Sequence, residues 1–402
     1  MASIFKFDTS TTPISMFEVD DGRLRPEPLK ANETLTLNAD GTITLVETHS
    51  EFVETKVFAP TPSTTDDPAF FTRISETFTT PAGAPLGEAQ ANQLAERDDT
   101  DHDGSDDDAI AGSAGEDHAH GGAGRDTMSG GDGDDDLGGD EGDDDLDGGR
   151  GSDHLDGGSG HDVLRGGEGS DTLSGGDGND HLFGRAPAAG ADGADSISGG
   201  AGSDYIQGNA GNDTLSGGDG ADRINGGGDD DLITGDAGND RINGNLGNDT
   251  ASGGVGDDEL RGGKGNDSLD GGDGADRLTG DLGADTLSGG AGRDEFHFSD
   301  SSALLTGSAP DVITDFEHGV DRIELDFDPS ALLVGAAQAD FAAARAAAQA
   351  LLDGHSGNGE VAAVAVGADT YLFFSGSGGA TVDSAIELTG LAPASLALTD
   401  FD

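Results

Sequence analysis

The chain has no cysteine, no tryptophan and two tyrosines, and only 19 lysines and arginines against 81 aspartates and glutamates in 402 residues. Without cysteine there is no disulfide framework and no thiolate metal site, and the redox compartment stays open. Apolar residues at 33% and aromatics at 5% are too few to fill one large interior, so something besides an ordinary core must hold the chain together. No apolar run reaches membrane-spanning length, so no membrane span is expected. The opening "MASIFKFDTS" lacks a basic segment followed by an apolar one, so no cleaved secretory signal is expected either. A net charge of −62 argues against nucleic acid as a partner and would drive a compact chain apart unless counter-charge is bound.

What the chain does have is glycine, 71 residues of it, arranged with a period of nine. Eight units fill residues 112–183, a six-residue insert "GRAPAA" fills 184–189, and twelve more units fill 190–297. The first position is always Gly. The sixth is always Asp: Asp117, Asp126, Asp135, Asp144, Asp153, Asp162, Asp171 and Asp180 before the insert, then Asp195, Asp204, Asp213, Asp222, Asp231, Asp240, Asp249, Asp258, Asp267, Asp276, Asp285 and Asp294 after it. The fourth position is Gly except at Asp229, within "GGGDDDLIT". The eighth is apolar throughout, mostly Leu or Ile, with Ala119, Met128, Ala251 and Phe296 as variants.

Each glycine in a helix costs about 1 kcal/mol, so the first six positions of a unit form a turn. Glycine there permits positive φ and close approach of carbonyls, while the last three positions extend and point one apolar side chain inward. Two turn-plus-strand units complete one coil, which stacks like turns and places their aspartates about 4.8 Å apart. Stacked carboxylates repel at that spacing, and a hard divalent cation held by carboxylate and carbonyl oxygens turns the repulsion into a cross-link. Calcium, which takes six to eight oxygens in irregular geometry, fits better than magnesium, which demands an octahedron and keeps its water. Zinc needs His or Cys, and His118, His120, His154, His161 and His181 occupy variable positions. One ion between neighbouring turns on each side gives about sixteen ions carrying about +32, roughly half of the formal charge, so ion binding is expected to be a condition of folding.

Twenty in-register copies of phrases such as "GGDGNDHLF" resemble the RTX, or hemolysin-type calcium-binding repeat, proteins. The resemblance covers nearly half the chain and implies an all-β parallel β-roll, with calcium in the GGxGxD turns. The aspartates at position six are the expected metal ligands, completed by backbone carbonyls of neighbouring glycine turns. The C-terminal "GGAGRDEFHFSD" followed by "DVITDFEHGVDRIEL" resembles the passage from roll to terminal sandwich in serralysin-like secreted proteins. "DTYLFF" and "SAIELTGL" are similar to terminal domains of type I secretion substrates. That resemblance implies an uncleaved C-terminal export signal, the type I secretion machinery as a partner, and an extracellular or cell-surface location. The tail "LALTDFD" ends in Asp402 where an apolar run is more usual. Extracellular calcium modules bind at about 10⁻⁴ to 10⁻³ M, far above cytosolic calcium, so such a roll stays unfolded inside and folds outside.

Around the roll the expectation is a small β-rich N-terminal domain with the start of a linker (1–96), an acidic linker or degenerate first repeat (97–111), and a β-rich capping domain with one helix (298–402). In the first, "ETLTLNADGTITLVE" reads as a hairpin turning at Asp40-Gly41, and "EFVETKVFA" and "FFTRISETFT" as strands. The linker is rich in proline, glycine and alanine and has room for one short helix. After Phe298, "DVITDFEHGVDRIELDF" alternates like a strand pair, "DFAAARAAAQALLDG" reads as a helix capped by Asp340 and closed by Gly354, and "VAAVAVG" and "DTYLFF" as strands.

Two weaker motifs reduce to structure. "DTDHDGSDDDAI", from Asp99, spaces acids like an EF-hand loop, but Ile110 stands where a bidentate Glu is needed, which favours a degenerate first turn of the roll. "GHSGNG", from Gly354, has Asn358 where a nucleophile elbow needs glycine. The zinc-protease signature HExxH is absent, and residues 1–96 hold one histidine, His49. The expected function is therefore a non-enzymatic, secreted calcium-binding scaffold, structural or adhesive, with a cell-surface or matrix polysaccharide as candidate partner. The alternative is a non-catalytic accessory module of an extracellular hydrolase or polysaccharide-modifying enzyme.

Overall fold

The computed structural model describes the backbone of seven strands between residues 5 and 79, then 107–112, 114–185, 192–298, 309–354, 359–375 and 382–401. The seven N-terminal strands form one antiparallel sheet, running in space from Arg23–Glu27 at one edge to Glu33–Leu37 at the other. The expected hairpin is there: Glu33–Leu37 pairs with Ile43–Thr48, Leu37 opposite Ile43. Val53–Pro60 and Phe70–Thr79 follow as antiparallel neighbours. Alternation did not bring out the three strands before residue 28. The linker helix and the Asp99–Asp106 part of the EF-hand-like motif lie outside the described residues, as do His355–Asn358 of "GHSGNG".

From Ala109 the chain winds into a β-solenoid of about ten turns. Alternate strands go to two sheets, so residue i lies beside i+18 in parallel register: Thr214 is next to Leu232 in one sheet, Arg223 next to Arg241 in the other. The pairing follows from the nonapeptide: its last three residues and the first three of the next unit extend as one strand, as in Thr214–Asp219 and Arg223–Gly228, and only the fourth to sixth reverse the chain, a shorter turn than the six residues expected from the glycines. The eighth-position residues point inward in single file from each sheet, all between 0% and 6% exposed. They supply the thin apolar core.

Two features of the repeat require glycine or a residue that tolerates left-handed backbone. A Cβ on Gly178 would lie 1.4 Å from the carbonyl oxygen of Gly160 on the coil below. At the second position, where glycine is replaced among the described residues, the substitutes are Asp140, Asn209, Asp236, Asn245 and Asp281, all with φ between 68° and 81°. Asp229, the fourth-position exception, has φ 73° where Gly211 and Gly247 have 132° and 141°, so the turn adjusts locally to carry a side chain.

The insert falls between two described coils of the roll. Gly184 takes the place of the first glycine of the next unit, since its missing Cβ would meet the Asp195 carboxylate, and Gly193 stacks on Gly169. Coil spacing there stretches to 24 residues, with Thr172 beside Ser196, and returns to 18 immediately after.

Strands Asp311–Ile313 and Arg322–Leu325 do not pair with each other, unlike the reading from alternation. The first extends one sheet, Val312 beside Thr286, and the second extends the other, Ile323 beside Phe296. Both solenoid sheets thus run past residue 297. The first sheet then continues through Ser384–Leu388, Asp369–Phe374, Glu360–Val366 and Ala331–Val334. The helix Phe341–Asp353 packs Ala344 and Ala348 against this extension, with Asp340 Oδ1 accepting from the Ala343 amide as the sequence predicts. Gly354 ends it at φ −75°, in the right-handed region. Among the described residues no helix is long and apolar enough to cross a membrane.

Candidate metal centre

The turns of alternate units stack along two edges, and each edge carries a ladder of aspartates. On one edge the amide of Asp117 donates to Oδ1 of Asp135 at 2.8 Å, that of Asp135 to Asp153 at 2.9 Å, and so on through Asp285. On the other the chain of bonds runs from Asp108 to Asp126 at 2.7 Å and on through Asp294. Asp222 and Asp240, two units apart, are neighbours on this edge, the Asp222 amide reaching Asp240 Oδ1 at 2.8 Å. The bonds pin the sixth-position carboxylates from Asp126 to Asp294 in the wall of the coil, 0–3% exposed.

Only one oxygen of each is used. Oδ2 is buried without a hydrogen-bond partner in every sixth-position aspartate from Asp126 to Asp294. Burial therefore pushes the sixth-position carboxyls from Asp135 onward up from 3.8, to about 7 in Asp153, Asp162, Asp231, Asp240 and Asp267 and to about 8 in Asp195. Desolvation is the largest cause, and neighbouring carboxylates on the ladder push the same way, while the backbone hydrogen bond opposes them. A row of half-satisfied buried carboxylates is costly unless positive charge meets it.

The space for such a charge lies between the turns. A Cβ on Gly175 would lie 2.5 Å from Asp180 Oδ2 and 2.5 Å from the carbonyl oxygen of Gly199. The same triad recurs with Gly217, Asp222 Oδ2 and the Gly235 carbonyl at 2.4 and 2.8 Å. The invariant first glycine thus keeps open a cradle lined by a carboxylate and a carbonyl, and the donor set is all oxygen, which suits a hard cation such as calcium. Among the described residues there is no cluster of three or more His, Asp and Glu side chains of metal-binding spacing. The residues that fit the ion are therefore one carboxylate per turn plus backbone carbonyls. The histidines do not converge: His118 pairs with Asp136, His120 with Asp140, and His161 Nδ1 accepts from the Asn179 amide.

Three further aspartates extend the ladders beyond the twenty. Asp108 begins one edge, and the Asp107 carboxylate accepts from the Arg125 amide at 3.0 Å. Asp311 and Asp321 cap the far ends, accepting from the amides of Asp285 and Asp294 at 3.0 and 3.2 Å. "DVI" at 311–313 and "DRI" at 321–323 repeat the Asp-x-apolar ending of units such as "DVL" at 162–164 and "DRI" at 222–224, a signal visible without the glycine phrase. Burial pushes Asp311 up to about 8.

A second ladder, also missed, runs through position five in the opposite direction. The amide of Asn248 donates to the Asp230 side chain at 2.6 Å, that of Asn266 to Asn248 at 2.9 Å, and that of Ala284 to Asn266 at 3.0 Å. It stops wherever position five is alanine, which has no acceptor.

The repeat region matches the family described as RTX calcium-binding nonapeptide repeat, in overlapping segments from 102–137 to 270–299. Residues 102–299 are thus a run of RTX calcium-binding nonapeptide repeats. Solution structures of the R3 and R2 subunits of a mannuronan C5-epimerase from Azotobacter vinelandii are each 22% identical over 46% of this chain, covering 80% and 89% of theirs, with TM-scores of 0.17 and 0.18. A search of curated proteins finds no match.

Proposed function

We propose that this protein is secreted, that its roll orders on meeting extracellular calcium, and that it then serves as a non-enzymatic spacer or adhesive scaffold. The observation that carries the reading is the pair of aspartate ladders with one oxygen of each carboxylate buried and unpartnered. Such an arrangement holds a charged chain apart without metal and cross-links successive coils with it. The sixth-position aspartates are the carboxylate ligands, and the ions bridge coils within an edge.

The export reading, through type I machinery without a cleaved N-terminal signal, is supported by the likeness of the C-terminal motifs to that class and by the calcium linkage. A chain that folds only at millimolar calcium crosses a narrow channel unfolded. A cell-surface or matrix polysaccharide is the proposed partner of the finished rod. Calcium-loaded protein incubated with alginate, casein and lipid esters is expected to give no turnover, and turnover of any one would overturn the scaffold reading. Finding the protein in the cytosol of cells grown in calcium, and not in the medium or on the envelope, would overturn the export reading.

A further inference from the structure

The two edges end differently. At the end of one, Asp321 uses both carboxylate oxygens: Oδ1 accepts from the Asp294 amide at 3.2 Å and Oδ2 from the Glu317 amide at 2.7 Å. At the end of the other, Asp311 is 1% exposed and Oδ1 accepts from the Asp285 amide at 3.0 Å, but Oδ2 is buried with no partner. Oδ2 of Asp285, one coil back, is buried without a partner as well. Backbone donors therefore close one ladder, and the other stops with a carboxylate in the same half-satisfied state as the repeats.

We propose that Asp311, which lies outside the nonapeptide array, ligates a further calcium-like divalent cation together with Asp285, and that this ion ties the C-terminal sheet to the roll. The proposal rests on the calcium reading of the roll. The coupling follows from where Asp311 sits. Its strand is parallel to Thr286–Gly292 of the last coil on one side, with the Val312 amide donating to the Asp285 carbonyl at 2.8 Å. On its other side Asp311 is beside Ile386 of Ser384–Leu388, the first strand of the C-terminal extension. An ion between Asp285 and Asp311 therefore spans the joint at which repeat sheet becomes terminal sheet. Asp321 has no such role, because both oxygens of its carboxylate already accept backbone amides.

The chain contains two tyrosines, which makes the coupling measurable. Tyr205 lies in the roll beside Arg223, and Tyr371 lies in the C-terminal sheet beside Glu387. In the full chain carrying Tyr205→Phe, tyrosine fluorescence reports the C-terminal sheet alone. Counting bound calcium by equilibrium dialysis, Asp311→Asn is expected to bind one ion fewer than the parent, and Asp321→Asn the same number as the parent. Asn keeps an acceptor for the Asp285 amide, so the ladder bond survives. The Tyr371 transition in Asp311→Asn is expected to need roughly tenfold more calcium, while the far-UV dichroism of the roll moves little. Should the Asn variant not fold, Asp311→Ser, whose hydroxyl also accepts, is expected to lose the same ion. An unchanged ion count with an unchanged Tyr371 midpoint in either folded variant would overturn the proposal. If Asp240→Asn loses an ion and Asp311→Asn loses none, this proposal alone fails. If the parent protein binds no calcium, the reading of the whole roll fails with it.

Discussion

Replacing Asp222 and Asp240 together by Asn should have opposite effects with and without calcium. Asn retains an oxygen for the ladder bond, so the amide of Asp204 still finds an acceptor on residue 222 and that of residue 222 one on residue 240. What changes is the buried, unpartnered Oδ2, which becomes an uncharged amide facing the first-position cradle, where a Cβ on Gly217 would meet both Asp222 Oδ2 and the Gly235 carbonyl. Burial pushes Asp240 from 3.8 to about 7, a rise of roughly three units, or about 4 kcal/mol against the ionised fold at pH 8. Halving that for water entering the turn leaves about 2 kcal/mol at Asp240, and Asp222 is raised as well. In chelator at pH 8 the double variant should therefore fold more easily than the parent, reaching its transition at a lower concentration of a stabilising osmolyte in far-UV dichroism. With calcium as titrant it should fold less easily, needing several-fold more metal. Asn at Asp20 and Asp21, outside the repeats, should do neither. Loss of stability in both conditions, or equal effects from the Asp20 and Asp21 variant, would refute the reasoning.

Acid should partly replace calcium. Ladder aspartates such as Asp144, Asp153 and Asp195 have folded values raised to about 6, 7 and 8, so in the metal-free protein the stability they allow is fully present below their ordinary value of 3.8 and is lost as pH rises through the raised values. Chelated protein should gain β-structure between pH 8 and pH 5, and calcium added at pH 7 should release protons measurable in weakly buffered solution. Gly175→Ala should lower the calcium affinity of its turn, because the added methyl would crowd both Asp180 Oδ2 and the Gly199 carbonyl; calorimetry should show the loss of an ion. Leu215→Ala, at a position 1% exposed in the single-file core, should cost the calcium-loaded protein about 2–5 kcal/mol in denaturant unfolding, whereas Leu232→Ser, at a position 48% exposed, should cost little.

The coil, its two-unit turn and the facing of Asp222 and Asp240 were legible because period, glycine and aspartate all act locally: each unit carries its own turn and its own inward residue. The helix after Asp340 was legible for the same reason, through its cap and its alanines. What escaped was whatever depends on a neighbour. Asp311 and Asp321 look ordinary until strands Asp311–Ile313 and Arg322–Leu325 are seen to join the two sheets of the roll, since no glycine phrase precedes them. The position-five ladder escaped because Asp, Asn, Ser and His share one task there, accepting an amide, and so show no single letter. Gly184 in place of Gly190 could not be chosen from sequence, as both are glycines at the head of the same turn and only stacking on the next coil tells them apart.

The most direct test of the account is a comparison at pH 8 of the chelated and the calcium-loaded protein, by far-UV dichroism and by resistance of residues 112–297 to protease. The account predicts a disordered, readily cleaved repeat region without calcium and a β-rich, protected one with it. A chelated protein as structured and as protected as the loaded one would contradict it.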